Sequence, residues 1–189
     1  MFSTKGEEAF RKGQECLATP GDNNLRDAMV FFKEAAKEGH VEAIYQVGCL
    51  NLWGEPQIAK NFKEAKKCFE RCAEAGLSRS KYFLGEFYLD GLGVEKDEKK
   101  AFDMFEEAFN EGVSGAANIL CHCHWEGKGT EKNIDKAKQY NDIARKLGLP
   151  GAEADFFRLA SRKDLFDDLF GKKGSEDKKE GEENKPKEQ

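Results

Sequence analysis

The residues best suited to chemistry are four consecutive cysteines and histidines, Cys121-His122-Cys123-His124, whose thiolate and imidazole groups are ligands that zinc prefers. Zinc needs four ligands that converge at about 2.0–2.3 Å from the metal. Neighbouring residues on a helix point about 100° apart, so four in a row surround the axis and do not converge. Cys68 and Cys72 lie one helical turn apart, but they belong to a preceding segment. The spacing therefore predicts no metal site and no bound cofactor.

Two short patterns resemble parts of enzyme active sites. Ser78-Arg79-Ser80-Lys81 fits the Ser-x-x-Lys motif of serine acylases, but the companion motifs Ser-Asp-Asn and Lys-Thr-Gly are absent. Gly127-Lys128-Gly129-Thr130 contains the Gly-Lys pair of phosphate-binding loops, but it lacks the upstream glycine and follows no predicted strand. Neither pattern has the parts that its chemistry needs, so we expect no catalytic residues and no enzyme.

The composition of the chain limits the classes of molecule that it could bind. Hydrophobic residues make up 39% of the chain and charged residues 35%, a ratio typical of an elongated stack with a large surface. The net charge of -5 argues against a nucleic-acid partner, which requires clustered positive charge. No run of 18 apolar residues is present, so we expect no membrane insertion. Six cysteines without a secretory signal predict reduced thiols in the cytoplasm, with the mitochondrial intermembrane space as the alternative.

An internal period of 36 or 37 residues organises the chain. Four segments place an alanine eleven residues before a glycine: Ala28 and Gly39, Ala65 and Gly76, Ala101 and Gly112, Ala137 and Gly148. Four residues before each alanine stands a residue suited to cap a helix: Asn24, Asn61, Asp97 and Asn133. Each glycine stands where a left-handed residue would end the helix. The pattern predicts four second helices of about fourteen residues.

A first helix is predicted before each second helix. The four first helices are expected at 8–18, 43–54, 80–88 and 116–129. Gly48 and Gly85 occupy one column of the aligned repeats, that is, the same position in each copy. The two helices of a hairpin must approach closely there, and Cys121 takes this position in the last copy. These elements give four segments, at 5–39, 40–76, 77–112 and 113–148, then a capping helix over 149–170 and a disordered charged tail over 171–189. The segment Asp164 to Phe170 fits either the end of the cap or a short docking motif.

The repeat resembles a known family. Gly85, Tyr88, Gly91, Gly93, Val94, Asp97, Ala101 and Gly112 are similar to the Sel1-like repeat, a relative of the tetratricopeptide repeat, over about residues 24–160. The copies depart from the pattern in two places: Trp53-Gly54-Glu55-Pro56-Gln57 lacks the second loop glycine, and His124 replaces the tyrosine of Tyr88. The resemblance implies an all-α, right-handed superhelical solenoid of about four hairpins. It also implies an adaptor that holds peptides or domains in a concave groove.

The groove can be assigned by analogy with tetratricopeptide geometry. The first-helix residues expected to face it are Phe10, Tyr45, Cys49, Trp53, Tyr82, Glu86, His122 and Trp125. Aromatic residues at exposed positions favour a protein partner, because they dominate binding hot spots. The alternative is that some of them pack between adjacent repeats. We therefore expect a monomeric protein-interaction adaptor, and as the second reading a cysteine-containing assembly factor that uses thiols, disulfides or a metal.

Overall fold

A computed structural model describes residues 4–18, 24–54 and 58–149 of the chain. The described residues form eight α-helices: α1 (Thr4–Ala18), α2 (Asn24–Lys37), α3 (Val41–Trp53), α4 (Phe62–Glu74), α5 (Arg79–Asp90), α6 (Glu98–Asn110), α7 (Ala116–Glu126) and α8 (Ile134–Lys146). The predicted cap and tail lie outside the described residues from residue 150 onward, and so does the loop segment 55–57.

The helices pack chiefly on their neighbours in the chain. Each odd-numbered helix pairs with the next even-numbered one, and each even-numbered helix then packs on the first helix of the following pair. This arrangement gives four stacked hairpins, the all-α solenoid that the sequence predicts. The core is correspondingly divided into clusters within and between adjacent hairpins rather than collected in one centre.

The second helices begin at the predicted capping residues. The side chains of Asn61, Asp97 and Asn133 each accept the backbone N–H of the residue three positions later, at 2.9 to 3.0 Å. These bonds satisfy one of the amides that the first turn leaves without a helical acceptor. Asn24 is the first residue of α2, and its Oδ1 accepts the N–H of Leu25. The capping prediction is therefore confirmed for α4, α6 and α8.

Glycines end the second helices as predicted. Gly39, Gly76, Gly112 and Gly148 all adopt positive φ, between 65° and 93°. After each glycine, the next residue donates its N–H to a carbonyl five positions back, as Leu77 does to Cys72 at 2.9 Å. This is the hydrogen-bond pattern of a Schellman turn, which reverses the chain into the next first helix.

Within three of the hairpins a glycine of the first helix lies against a phenylalanine of the second. A Cβ added to the glycine would come within 2.5 to 3.0 Å of the phenylalanine ring in the pairs Gly13 and Phe32, Gly48 and Phe69, Gly85 and Phe105. The rings are fully buried, so any larger residue would displace core side chains. In the fourth hairpin the equivalent positions hold Cys121 and Asn141, both buried.

Candidate protein-binding face

The predicted groove residues all lie on the first helices, α1, α3, α5 and α7. We call the accessible surface of these four helices the first-helix face. Five of the eight predicted residues are at least partly accessible there: Tyr45, Trp53, Tyr82, Glu86 and His122. Trp53 is the most exposed of them, with 56% of its surface accessible.

The other three predicted groove residues are buried. Phe10, Cys49 and Trp125 keep 9%, 4% and 2% of their surfaces accessible. The ring of Phe10 stacks on His40 with centroids 4.3 Å apart, so it packs between the first hairpin and the start of α3. Trp125 belongs to a buried cluster with Cys121 and Ala137. The structure therefore corrects the expected exposure of these three residues: they hold adjacent helices together.

Phe83 is the centre of an aromatic cluster that the sequence reading missed. Its ring centroid lies 5.9 Å from that of Tyr45, 5.8 Å from that of Trp53 and 5.6 Å from that of Tyr82, each in an edge-to-face arrangement. It also stacks on Phe69 at 4.8 Å. Such pairs add to the free energy gained by burying the rings. The cluster fixes the accessible aromatic rings of α3 and α5 in one place.

The first-helix face also carries charged side chains, which interact with neighbouring aromatic and polar groups. The Arg79 guanidinium lies 4.1 Å from the centroid of the Tyr45 ring and forms an ion pair with Glu42. On α5 the Tyr82 hydroxyl donates to the Glu86 carboxylate. Burial raises the pKa of Glu86, and the nearby charge of Asp90 raises it further, whereas the bond from Tyr82 lowers it. Burial raises the pKa of Tyr82 to about 12.

The four residues of the Cys-His run do not share one environment, because consecutive residues point in different directions around the helix axis. Cys121, Cys123 and His124 are buried, whereas His122 is partly accessible. The His124 ring stacks on Tyr140 at 5.6 Å, and burial lowers the pKa of this imidazole. Across the described ranges, no group of three or more His, Cys, Asp or Glu side chains is placed to hold a metal ion.

All six cysteines lie within the described residues, and none of them forms a disulfide. Burial raises the pKa of Cys49, Cys68 and Cys72 to about 11 and that of Cys123 to about 12. These four side chains are therefore protonated thiols near neutral pH. A protonated thiol is a poor nucleophile and a poor metal ligand, because both roles need the thiolate.

The thiols give a direct test of this packing. We expect Cys16, the one cysteine that is not fully buried, to react with Ellman's reagent at pH 8 well before the other five. A pKa of 11 instead of 9 lowers the thiolate fraction at this pH about 100-fold, and burial blocks access as well. All six thiols should react once the protein is denatured without reductant. Two or more intact disulfides, or five thiols that react rapidly in the native protein, would contradict this packing.

No helix within the described ranges is both long and apolar enough to cross a bilayer.

Four helical hairpins with capped ends, stacked in chain order, define an α-hairpin repeat solenoid. The Sel1 repeat profile matches residues 8–40, 41–77, 78–113 and 114–149, so the chain belongs to the Sel1 repeat family. Proteins built from Sel1 repeats are generally protein-interaction scaffolds.

Solved structures of the family share the fold. A Sel1 repeat protein from Oxalobacter formigenes matches with a TM-score of 0.71 and 28% identity, over 78% of this chain and 59% of that one. Helicobacter pylori cysteine rich protein B matches with a TM-score of 0.53 and 28% identity, over 67% of this chain and 95% of that one. A protective antigen of uropathogenic Escherichia coli matches in fold, with a TM-score of 0.71 and 24% identity, over 82% of this chain and 33% of the antigen. A comparison with curated proteins gave no match.

Proposed function

We propose that this protein is a non-enzymatic adaptor that holds a peptide or a segment of a partner protein against the first-helix face, in the concave groove of the solenoid. The observation that carries the proposal is the exposure of Trp53 beside a fixed aromatic cluster. An indole held edge-on against Phe83 loses little conformational freedom on binding, and it offers a large apolar surface. Tryptophan is also the residue type most enriched at binding hot spots.

The partly accessible rings of Tyr45 and Tyr82 extend this anchor along the face. Both rings contact Phe83, so the three accessible aromatics surround one partly buried ring. A partner residue placed there would be surrounded by rigid apolar surface. Leu17, at the end of α1, is another exposed apolar side chain on a first helix.

The remaining chemistry favours an adaptor over an enzyme. In the Ser-x-x-Lys pattern, the Lys81 ammonium pairs with Glu107 and Glu111. Hydrogen bonds to Glu111 and Glu107 raise the pKa of Lys81, whereas a catalytic base needs a lowered one. The protonated, buried thiols likewise favour the adaptor over a thiol-dependent assembly factor. We propose that it acts in the cytoplasm as a monomer.

Replacing Trp53 with serine is expected to weaken partner binding at least about 30-fold, because truncating a hot spot costs about 2 kcal/mol or more. The midpoint of thermal unfolding should change little, since 56% of the surface of Trp53 is already exposed. Short phage-displayed peptides selected on the immobilised protein serve as ligands, and fluorescence anisotropy measures the dissociation constants. Circular dichroism follows unfolding of the same samples.

Val30→Ser is the matched control, because Val30 is an exposed apolar residue, 60% accessible, on the second helix α2. It should leave peptide binding unchanged. If Trp53→Ser bound the selected peptides as wild type does, the binding surface would lie elsewhere and the proposed anchor would be wrong.

A further inference from the structure

His124 lies where the first helix of the fourth hairpin is joined to the second. Its backbone carbonyl accepts the N–H of Asn133, the residue that caps α8, at 2.7 Å. The same hydrogen bond recurs in the two preceding hairpins, from Asn61 to Asn51 at 2.8 Å and from Asp97 to Tyr88 at 2.9 Å. A change in the packing of His124 therefore acts directly on the connection between α7 and α8.

The side chain of His124 also connects the fourth hairpin to the third. Its ring stacks on Tyr140 of α8 with centroids 5.6 Å apart, and it meets Phe102 of α6 edge-on at 5.2 Å. Only 2% of the surface of His124 is accessible. Among the described residues, no hydrogen bond of normal geometry reaches either ring nitrogen. A neutral ring packs well in this place, whereas a charged ring would be buried without an acceptor.

Charged and titratable groups face the ring from α8, from α6 and from the loop before α8. Burial is the main cause that lowers the pKa of His124, and the Lys136 ammonium on α8 lowers it further. The backbone of Glu131 and the carboxylate of Glu106 on α6 raise this pKa, but they do not outweigh burial. Burial also raises the pKa of Tyr140, so its hydroxyl stays neutral. The packed hairpin therefore favours the neutral imidazole.

The third hairpin shows what an aromatic ring does at the same position. Tyr88 and Lys100 are the repeat equivalents of His124 and Lys136, each 36 residues earlier. The Lys100 ammonium lies 4.0 Å from the centroid of the Tyr88 ring and donates to its hydroxyl at 2.9 Å. A tyrosine tolerates an adjacent cation throughout the neutral and mildly acidic range, whereas a histidine does so only while it is uncharged. The histidine therefore makes the packing of the fourth hairpin dependent on pH.

We propose that His124 is an acid-sensitive contact that holds the fourth hairpin on the third, and that its protonation releases α7 and α8 in mildly acidic surroundings. Of the interfaces between successive described hairpins, the one between α6 and α7 is the least extensive, so the fourth hairpin separates at the lowest cost.

The direction of the pH dependence follows from linkage. Because the pKa of His124 is lowered in the packed hairpin, its contribution to stability is fully present above pH 6.5, the ordinary value. The contribution is lost as the pH falls from there through the lowered value. His122 on α7 belongs to the first-helix face, so release would shorten this face by one repeat. Given the proposed adaptor function, partners that reach α7 would then bind less tightly in mild acid.

Titration of the imidazole in the wild-type protein is the first test. Nuclear magnetic resonance follows the ring signals of the three histidines, and those of His124 should change with a midpoint below pH 6.5. Lys136→Gln removes the adjacent positive charge and should raise this midpoint. Lys138→Gln makes an equal charge change on α8 and should leave the midpoint unaltered. A wild-type midpoint at pH 6.5 or above would overturn the proposal.

Hydrogen exchange at pH 7.5 and pH 5.5 tests the release itself. At pH 5.5, one unit below the ordinary value, a ring that is neutral only in the packed hairpin makes opening easier by up to about tenfold. Mass spectrometry should show the loss of protection in α7 and α8 and not in α2, after correction for the intrinsic effect of pH on exchange.

His124→Tyr repeats the residue of the third hairpin and should keep its protection at pH 5.5. The matched control His122→Tyr makes the same substitution at the partly accessible histidine of α7 and should lose protection as wild type does. An equal loss in wild type and His124→Tyr, or a loss spread evenly over all eight described helices, would contradict an acid-sensitive contact at His124. None of these measurements uses a bound partner, so their outcome is independent of the proposed adaptor function.

Discussion

Replacing Phe105 with alanine is expected to lower the free energy of unfolding by about 3–5 kcal/mol. The ring is fully buried, and it lies so close to Gly85 that a Cβ there would be 2.7 Å from it. Because Gly85 has no side chain, it cannot fill the cavity that the lost ring leaves. Urea unfolding followed by circular dichroism measures the loss. The third hairpin is internal, so its weakening should also separate the unfolding of its neighbours into more than one transition.

Val30→Ala provides the comparison, because it also shortens an apolar side chain on a second helix, but one that is 60% exposed. It should change stability by no more than about 0.5 kcal/mol. A loss below about 1 kcal/mol for Phe105→Ala would mean that the glycine–phenylalanine contact does not hold the hairpins together.

The helices could be predicted because their ends depend on local chemistry. A cap such as Asp97 and a terminal glycine such as Gly112 act within one helical turn, and each recurs at the repeat period. The close packing of Gly13 could not be predicted from the repeat pattern. It lies fifteen residues before Ala28, whereas Gly48 lies seventeen before Ala65, so the first hairpin falls out of register. Its contact with Phe32 is visible only when the packing is known.

The binding face was harder to predict, because a repeat column fixes the direction of a side chain and not its neighbours. Tyr45 and Trp125 were both assigned to the groove, yet one is half-buried and the other fully buried. Phe83 was overlooked because its column holds Gln46 and Ile119 in the adjacent copies, so no periodic signal marks it. Its position shows only in the ring distances.

The aromatic cluster also changes how the face should be tested. Replacing Tyr45, Trp53 and Tyr82 together would remove rings that contact Phe69 and Phe105, and so would weaken two hairpins at once. Loss of binding in such a variant would not distinguish a missing contact from a loosened fold. Trp53 alone is exposed enough to separate the two effects.

The second large effect on stability is expected from substitutions in the fourth hairpin. Its first helix carries Cys121 where the other copies have glycine, and its second helix carries Asn141 where they have phenylalanine. Both residues are buried, which indicates that a larger side chain on α7 offsets a smaller one on α8. Cys121→Gly alone should cost about 2 kcal/mol through a cavity and a helical glycine. Asn141→Phe alone should cost about 1–3 kcal/mol through overpacking.

The double variant Cys121→Gly/Asn141→Phe recreates the pair found in the first three hairpins, so its stability should lie within about 1 kcal/mol of wild type. The two changes would then be coupled by about 2 kcal/mol or more, as expected for side chains that share one space. Urea unfolding of the wild type, both single variants and the double variant measures this coupling directly. Additive losses would show that the two positions do not meet. In that case the fourth hairpin would pack by a different rule, with Trp125 as the large side chain that replaces the missing phenylalanine ring.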